Sequence, residues 1–164
     1  MKTEIRNAKE DDIPAIMGLI RELAEYERLS EYVTASENDI KRHLFADATA
    51  EAIICEADGV PVGIAVFFYN LSTFAGRLGL YIEDIYVKEE FRGRGLGKMM
   101  MSRLAAIAEE RGCIKMDWVV LNWNNPSIKF YESLGAEKND TWTAYRMSGG
   151  RLEELAKKDI QYID

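Results

Sequence analysis

The chain has only two cysteines, three prolines and a single histidine in 164 residues, and each shortage excludes something. Cys55 and Cys113 stand far apart with no ligand motif beside either, so neither a disulfide framework nor a cysteine-based zinc site is indicated. His43 has no partner at ligand spacing and reads as structural. With so few prolines, no low-complexity tract and no internal repeat, one domain over 1–164 is expected. The longest apolar run, Val62 to Tyr69, is far below the roughly 20 residues of a membrane-crossing helix. The N-terminus meets Lys2, Glu4 and Arg6 before any apolar segment can form, which argues against a secretory signal. A soluble protein of the reduced cytoplasm is the expectation. Positive charge is also in short supply: 21 basic against 28 acidic residues leave a net charge of −7. That is the wrong sign for a general nucleic-acid or anionic-membrane partner, and it suits a cationic one.

What is present is patterned. After a short strand near Glu4–Asn7, Pro14 opens an amphipathic run in which Ile13, Ile16, Met17, Ile20, Leu23 and Ala24 recur at spacings of three and four. This is a helix ending near Glu27. Ser36 and Asp39, at capping-box spacing, open a second helix that runs to Phe45. Two β-rich runs, Glu51–Ala57 and Val60–Leu71, flank Asp58-Gly59, a strong hairpin signal. A strand over Leu80–Val87 then leads through a glycine-rich turn into a long helix, Leu96–Arg111, stopped by Gly112. A strand at Lys115–Val120, a helix at Pro126–Leu134, a last strand at Trp142–Met147 and a helix at Arg151–Lys158 complete the order. Neither a strict βαβ alternation nor separate blocks, the order predicts an α/β (α+β) fold, a mixed sheet with helices on both faces. Met99-Met100-Met101, just inside the long helix, read as core filling.

The most informative stretch is Arg92-Gly93-Arg94-Gly95-Leu96-Gly97-Lys98. Alternate glycines at a strand-to-helix junction allow close backbone approach and leave N–H groups outward, an anion cradle at a helix N-terminus. It is not a Walker loop, because Gly93 and Gly97 enclose three residues instead of four and Met99 stands where a metal-binding hydroxyl would be. Nor is it a dinucleotide fingerprint, whose third glycine would fall at Lys98. Arg92-x-x-Gly95-x-Gly97 after an apolar strand resembles the acyl-CoA pyrophosphate loop of the GNAT superfamily of N-acetyltransferases. Within it, Ile20–Glu27, Tyr81–Val87 and Trp123-Asn124-x-Pro126-Ser127-Ile128-x-Phe130-Tyr131 are similar to the spermidine/spermine (diamine) N1-acetyltransferase group.

The resemblance implies a mainly antiparallel twisted sheet of six to seven strands, a homodimer, acetyl-CoA as co-substrate without a metal, and a small primary amine as acceptor. Gly93, Arg94, Gly95, Leu96, Gly97 and Lys98, with Arg92, would hold the pyrophosphate, and main-chain groups of Ile85, Tyr86 and Val87 would pair with the pantetheine arm. One of those amides would face the thioester carbonyl. Asn124, Pro126 and Ser127 would contact coenzyme A at the start of the next helix. Glu83 would take the proton of the incoming ammonium and Tyr131 would protonate the departing thiolate, phenol and thiol having pKa values of about 10 and 8.5. Tyr26 and Glu27, an aromatic face and a carboxylate, would hold the cationic substrate together with Glu83 and Asp84. Strand alternation turns Asp84 to the face opposite Glu83 unless a bulge intervenes.

The segment Leu71–Arg77 lacks the carboxylate that polyamine acetyltransferases carry there, and with Ser72-Thr73-Phe74 it is more similar to the thialysine N-epsilon-acetyltransferase branch. A short amine bearing a carboxylate would need a cation, and Arg77 is one candidate. An acyl-CoA-binding regulatory module without turnover, and an acetyltransferase of protein amines, are the alternative readings.

Overall fold

The structure, a computed structural model, describes residues 1–158. Five strands, β1 (Thr3–Asn7), β2 (Glu51–Ala57), β3 (Val60–Ser72), β4 (Arg77–Val87) and β5 (Met116–Asp117), form one sheet in the order β1-β2-β3-β4-β5. The first four are antiparallel neighbours and β5 lies parallel to β4. The β2–β3 turn has the left-handed conformation at both central residues, Asp58 at φ 50° and Gly59 at φ 80°, as a two-residue hairpin requires.

Residues 1–128 and the chain from Lys129 onward are two compact units. In the first, helix α1 (Ile13–Tyr26) lays Ile13, Ile16, Leu19 and Leu23 on Ile54, Ile64 and Tyr86. Those three sheet residues are register partners on β2, β3 and β4. The partner set one position along, Cys55 and Gly63, faces Met100 of helix α3 (Leu96–Glu110). Alternation therefore puts α1 and α3 on opposite faces, and burying both faces is what turns β2 and β3 into near-continuous apolar runs. Met100 and Met101 are buried as expected, whereas Met99 is exposed. Helix α2 (Glu37–Lys41) starts with the reciprocal Ser36–Asp39 capping box and continues as a π-helical turn to Ala46. His43, in that turn, hydrogen-bonds Thr49 just beyond it.

The later part of the chain corrects the expectation of six to seven strands, since five are found among the described residues. β5 has two residues instead of the six of Lys115–Val120, and residues 142–147 form no strand, with Trp142 75% and Tyr145 94% exposed. Alternating aromatics describe a fit to a half-buried pleated surface, and without a strand to pair with they form none. Helices α4 (Asn125–Ser133) and α5 (Gly150–Ala156) occupy the predicted places.

Candidate active site

β5 pairs with β4 only at Leu80–Met116 and Tyr81–Asp117, so beyond Tyr81 that edge of β4 has no strand partner among the described residues. Lys88 donates its N–H to the carbonyl of Val62 at 2.9 Å, which sets the phase of the β3–β4 ladder. Counting back, Tyr86 and Asp84 spend their main-chain groups on Ile64 and Val66, while Ile85 and Val87 turn theirs to the open side. The Tyr86 carbonyl lies so near β3 that a Cβ at Gly63 would come within 2.9 Å of it. Of the three residues expected to line an added strand, Ile85 and Val87 thus have the right orientation. Tyr86 does not, because the ladder already uses its backbone.

Past this edge, Gly93 (φ 72°) and Gly95 (φ 83°) carry the chain into α3 in a conformation that L side chains avoid. A Cβ at either would meet no atom, so the glycines serve the turn and leave open space over it. No side chain caps α3, and the first-turn amides of Leu96, Gly97 and Lys98 stand at the positive end of the helix dipole. Such a donor set fits a pyrophosphate. Arg92 is engaged with the protein: its Nε donates to the Val87 carbonyl at 2.9 Å, and its guanidinium lies 4.3 Å from the Tyr26 ring centroid and 5.5 Å from that of Tyr86. Arg94 donates to the Glu90 carbonyl and sits over Phe91.

The end of α1 is tied to the segment before α4. The Tyr26 hydroxyl donates to Asn124 Oδ1 at 3.1 Å, and that same oxygen accepts the Ser127 N–H at 3.3 Å, capping α4. Asn124 is buried, Pro126 is exposed and Ser127 half-buried. Tyr26 also meets Trp123, ring centroids 6.0 Å apart. Tyr131 lies in the second compact unit, in α4, half-buried and packed on Phe130 with centroids 5.3 Å apart.

The sequence left open whether Glu83 and Asp84 share a face, and the register answers it. Val66 opposes Asp84 but Phe67 opposes Ile82, so β4 carries one extra residue there, a β-bulge at Glu83. Asp84, two residues before Tyr86, lies with it on the α1 face by plain alternation, and the bulge sets Glu83 beside it opposite Val66 and turns Ile82 with Phe67 to the other face. Asp84 is half-buried, and burial, with the charges of Glu83 and Glu27, pushes its carboxyl up to about 6. Burial also raises Glu27. Glu83 is exposed. The charges of Glu27, just past α1, and Glu83 thus act on Asp84, and none of the three carboxylates is in an ion pair among the described residues. Arg77 is not near them: its Nε and Nη2 donate to the Gly112 carbonyl, at the far end of α3 from the glycine turn.

An uncapped helix start, a strand edge open to pairing and a half-buried carboxyl at Asp84 with Glu83 and Glu27 acting on it suit an extended anionic cofactor arm and a cation. Residues 14–136 match the Acetyltransferase (GNAT) family, and the chain belongs to that family of N-acetyltransferases, which use acetyl-CoA as co-substrate. It is 39% identical over 166 residues to thialysine N-epsilon-acetyltransferase of Bos taurus, covering 94% of this chain and 97% of that protein. It is 31% identical to spermidine/spermine N(1)-acetyltransferase-like protein 1 of Homo sapiens over 93% of this chain and 24% of that protein. Among solved structures, an integron cassette protein from the mobile metagenome of V. cholerae superposes with a TM-score of 0.81 at 27% identity, covering 96% of this chain and 99% of that one.

Proposed function

We propose that the chain, acting over 1–164 as one acetyltransferase domain, moves an acetyl group directly to the terminal primary amine of a small lysine-like substrate of the thialysine type. Diamines and polyamines are the competing acceptors. The observation that carries this reading is the half-buried Asp84 carboxyl on the α1 face, on which the charges of Glu83 and Glu27 both act, beside an open strand edge. A partly desolvated carboxylate with like charges around it favours an ammonium. The carboxylate-free Leu71–Arg77 segment and the similarity to the bovine enzyme favour the shorter amine.

Acetyl-CoA supplies the activated acyl group. The first-turn amides of α3 hold its pyrophosphate, the main chain of Ile85 and Val87 pairs with its extended arm, and Asn124, Pro126 and Ser127 flank it. An outward amide of β4 donates to the carbonyl oxygen as negative charge builds there. Tyr26 and Glu27 position the ammonium. The proton it must lose, since an ammonium has no lone pair, passes to Glu83, directly or through water. Asp84 beside it, its carboxyl raised to about 6 chiefly by burial, can hold a proton near neutral pH. Tyr131 gives its hydroxyl proton to the departing thiolate.

A thiol-release assay with acetyl-CoA against thialysine, lysine, spermidine, putrescine and an N-terminal peptide tests the reading. Thialysine turned over ahead of spermidine is the expected result, and preference for the peptide would move the assignment to protein amines. Tyr131→Phe should lower kcat by about 10²–10⁴-fold with acetyl-CoA binding kept, the usual worth of a general acid. We also propose, on the resemblance, a cytoplasmic homodimer. Light scattering at micromolar concentration checks the dimer.

A further inference from the structure

A lysine-like substrate brings a carboxylate as well as an ammonium, and Arg77, committed to the end of α3, is not placed to meet it. Three other cations around the site are also engaged. Lys88 pairs with Glu22 at 2.7 Å, Arg92 bonds the Val87 carbonyl and Arg94 the Glu90 carbonyl. Arg28 differs: it is exposed and makes no ion pair among the described residues.

Its backbone is unusual too. Arg28 N–H bonds the Glu25 carbonyl at 3.0 Å and Leu29 N–H bonds that of Ala24 at 2.8 Å, which is the Schellman arrangement closing α1. Arg28 occupies the left-handed position of that motif at φ 61°, where glycine is the favoured residue. A cation that only complemented the helix dipole could stand anywhere in the last turn without this strain. The guanidinium reaches 5.6 Å from the ring centroid of Trp123, the same ring that packs on Tyr26. Glu27, the preceding residue, faces the other way electrically, its charge acting on Asp84. Consecutive residues thus present a carboxylate for the reacting ammonium and a guanidinium for an anionic group elsewhere on the same small substrate.

We propose that Arg28 is a specificity-determining residue: braced on Trp123, it binds the substrate's carboxylate and makes the enzyme prefer amino-acid amines over diamines. This rests on the reading of the site as a small-amine acetyltransferase. The test compares kcat/KM for thialysine with that for bis(2-aminoethyl) sulfide, the same chain without its carboxylate, in the wild type, Arg28→Gly, Arg28→Gln and Arg28→Lys. The wild type should favour the acid. Arg28→Gly, which relieves the strain and should melt no lower than the wild type, and Arg28→Gln should each cut the acid-to-diamine ratio at least tenfold, mainly through the KM of the acid. Arg28→Lys should keep the ratio within about threefold, since charge is retained. A ratio within twofold of the wild type in both Arg28→Gly and Arg28→Gln overturns the proposal, as does a wild type that takes the diamine as readily as the acid. Silence of the wild type on both amines, with acetyl-CoA still bound, would instead overturn the reading of function and this proposal with it.

Discussion

Two groups of carboxylates lie on the α1 side of the sheet and are treated in opposite ways. Near the start of α1, Asp12 and Glu56 converge on Arg6: its Nη1 and Nη2 donate to Asp12 at 2.7 and 2.8 Å, and its Nε donates to Glu56 at 2.9 Å. The Arg6 hydrogen bonds, with the Lys9 N–H, hold the Asp12 carboxyl below its ordinary range although the residue is nearly buried. Near the end of α1, Glu27, Glu83 and Asp84 make no ion pair among the described residues, and burial, with the charges of Glu83 and Glu27, raises Asp84 to about 6. A paired cluster is complete within the fold and holds the chain together. An unpaired one stores an unfavourable charge that an incoming cation, or a proton, relieves.

The contrast can be broken chemically first. Glu83→Gln and Asp84→Asn should each lower kcat by about 10²–10⁴-fold with the fold intact, and losses under threefold in both, measured by thiol release, would strip the cluster of a catalytic role. Next in size, Arg6→Leu leaves two carboxylates facing each other and should cost about 2–4 kcal/mol in denaturant titration, while kcat per folded molecule is unchanged.

A subtler effect follows from the sign of the two shifts. Asp84, raised in the folded state, binds its proton more readily there than in the unfolded chain, so its contribution to stability is present below the ordinary aspartate pKa and is lost as pH rises through about 6. Asp84→Asn should therefore gain about 1–2 kcal/mol over the wild type at pH 8, and less at pH 4. Asp12, lowered, behaves oppositely: its contribution is present above the ordinary value and fades as pH falls through the depressed one. Smallest is the acid limb of kcat/KM near pH 6 with thialysine, which Asp84→Asn should displace.

Much of the frame was legible because it is local. Pro14 and the three-and-four spacing announce α1, Ser36 and Asp39 the cap of α2, and Asp58-Gly59 the hairpin, each depending on residues a few places apart. The glycine turn into α3 was legible for the same reason. The strand expected at Trp142–Met147 was not borne out, because a strand needs a neighbour that its own residues do not supply. Arg92 reads as a phosphate ligand, and its position over the Tyr26 ring while bonding the Val87 carbonyl depends on a fold that brings α1 to β4.

By itself, then, the sequence determined the elements, their turns, the anion cradle and the residue types of the site, all set by backbone preference and hydrophobic period. Tertiary structure decided which charges are compensated. Arg6 meets Glu56, fifty positions along the chain, and Glu83 stands beside Asp84 opposite Val66 only because β4 carries one extra residue there. Desolvation and Coulomb energy depend on what surrounds a group in space, and no local pattern of residues encodes that.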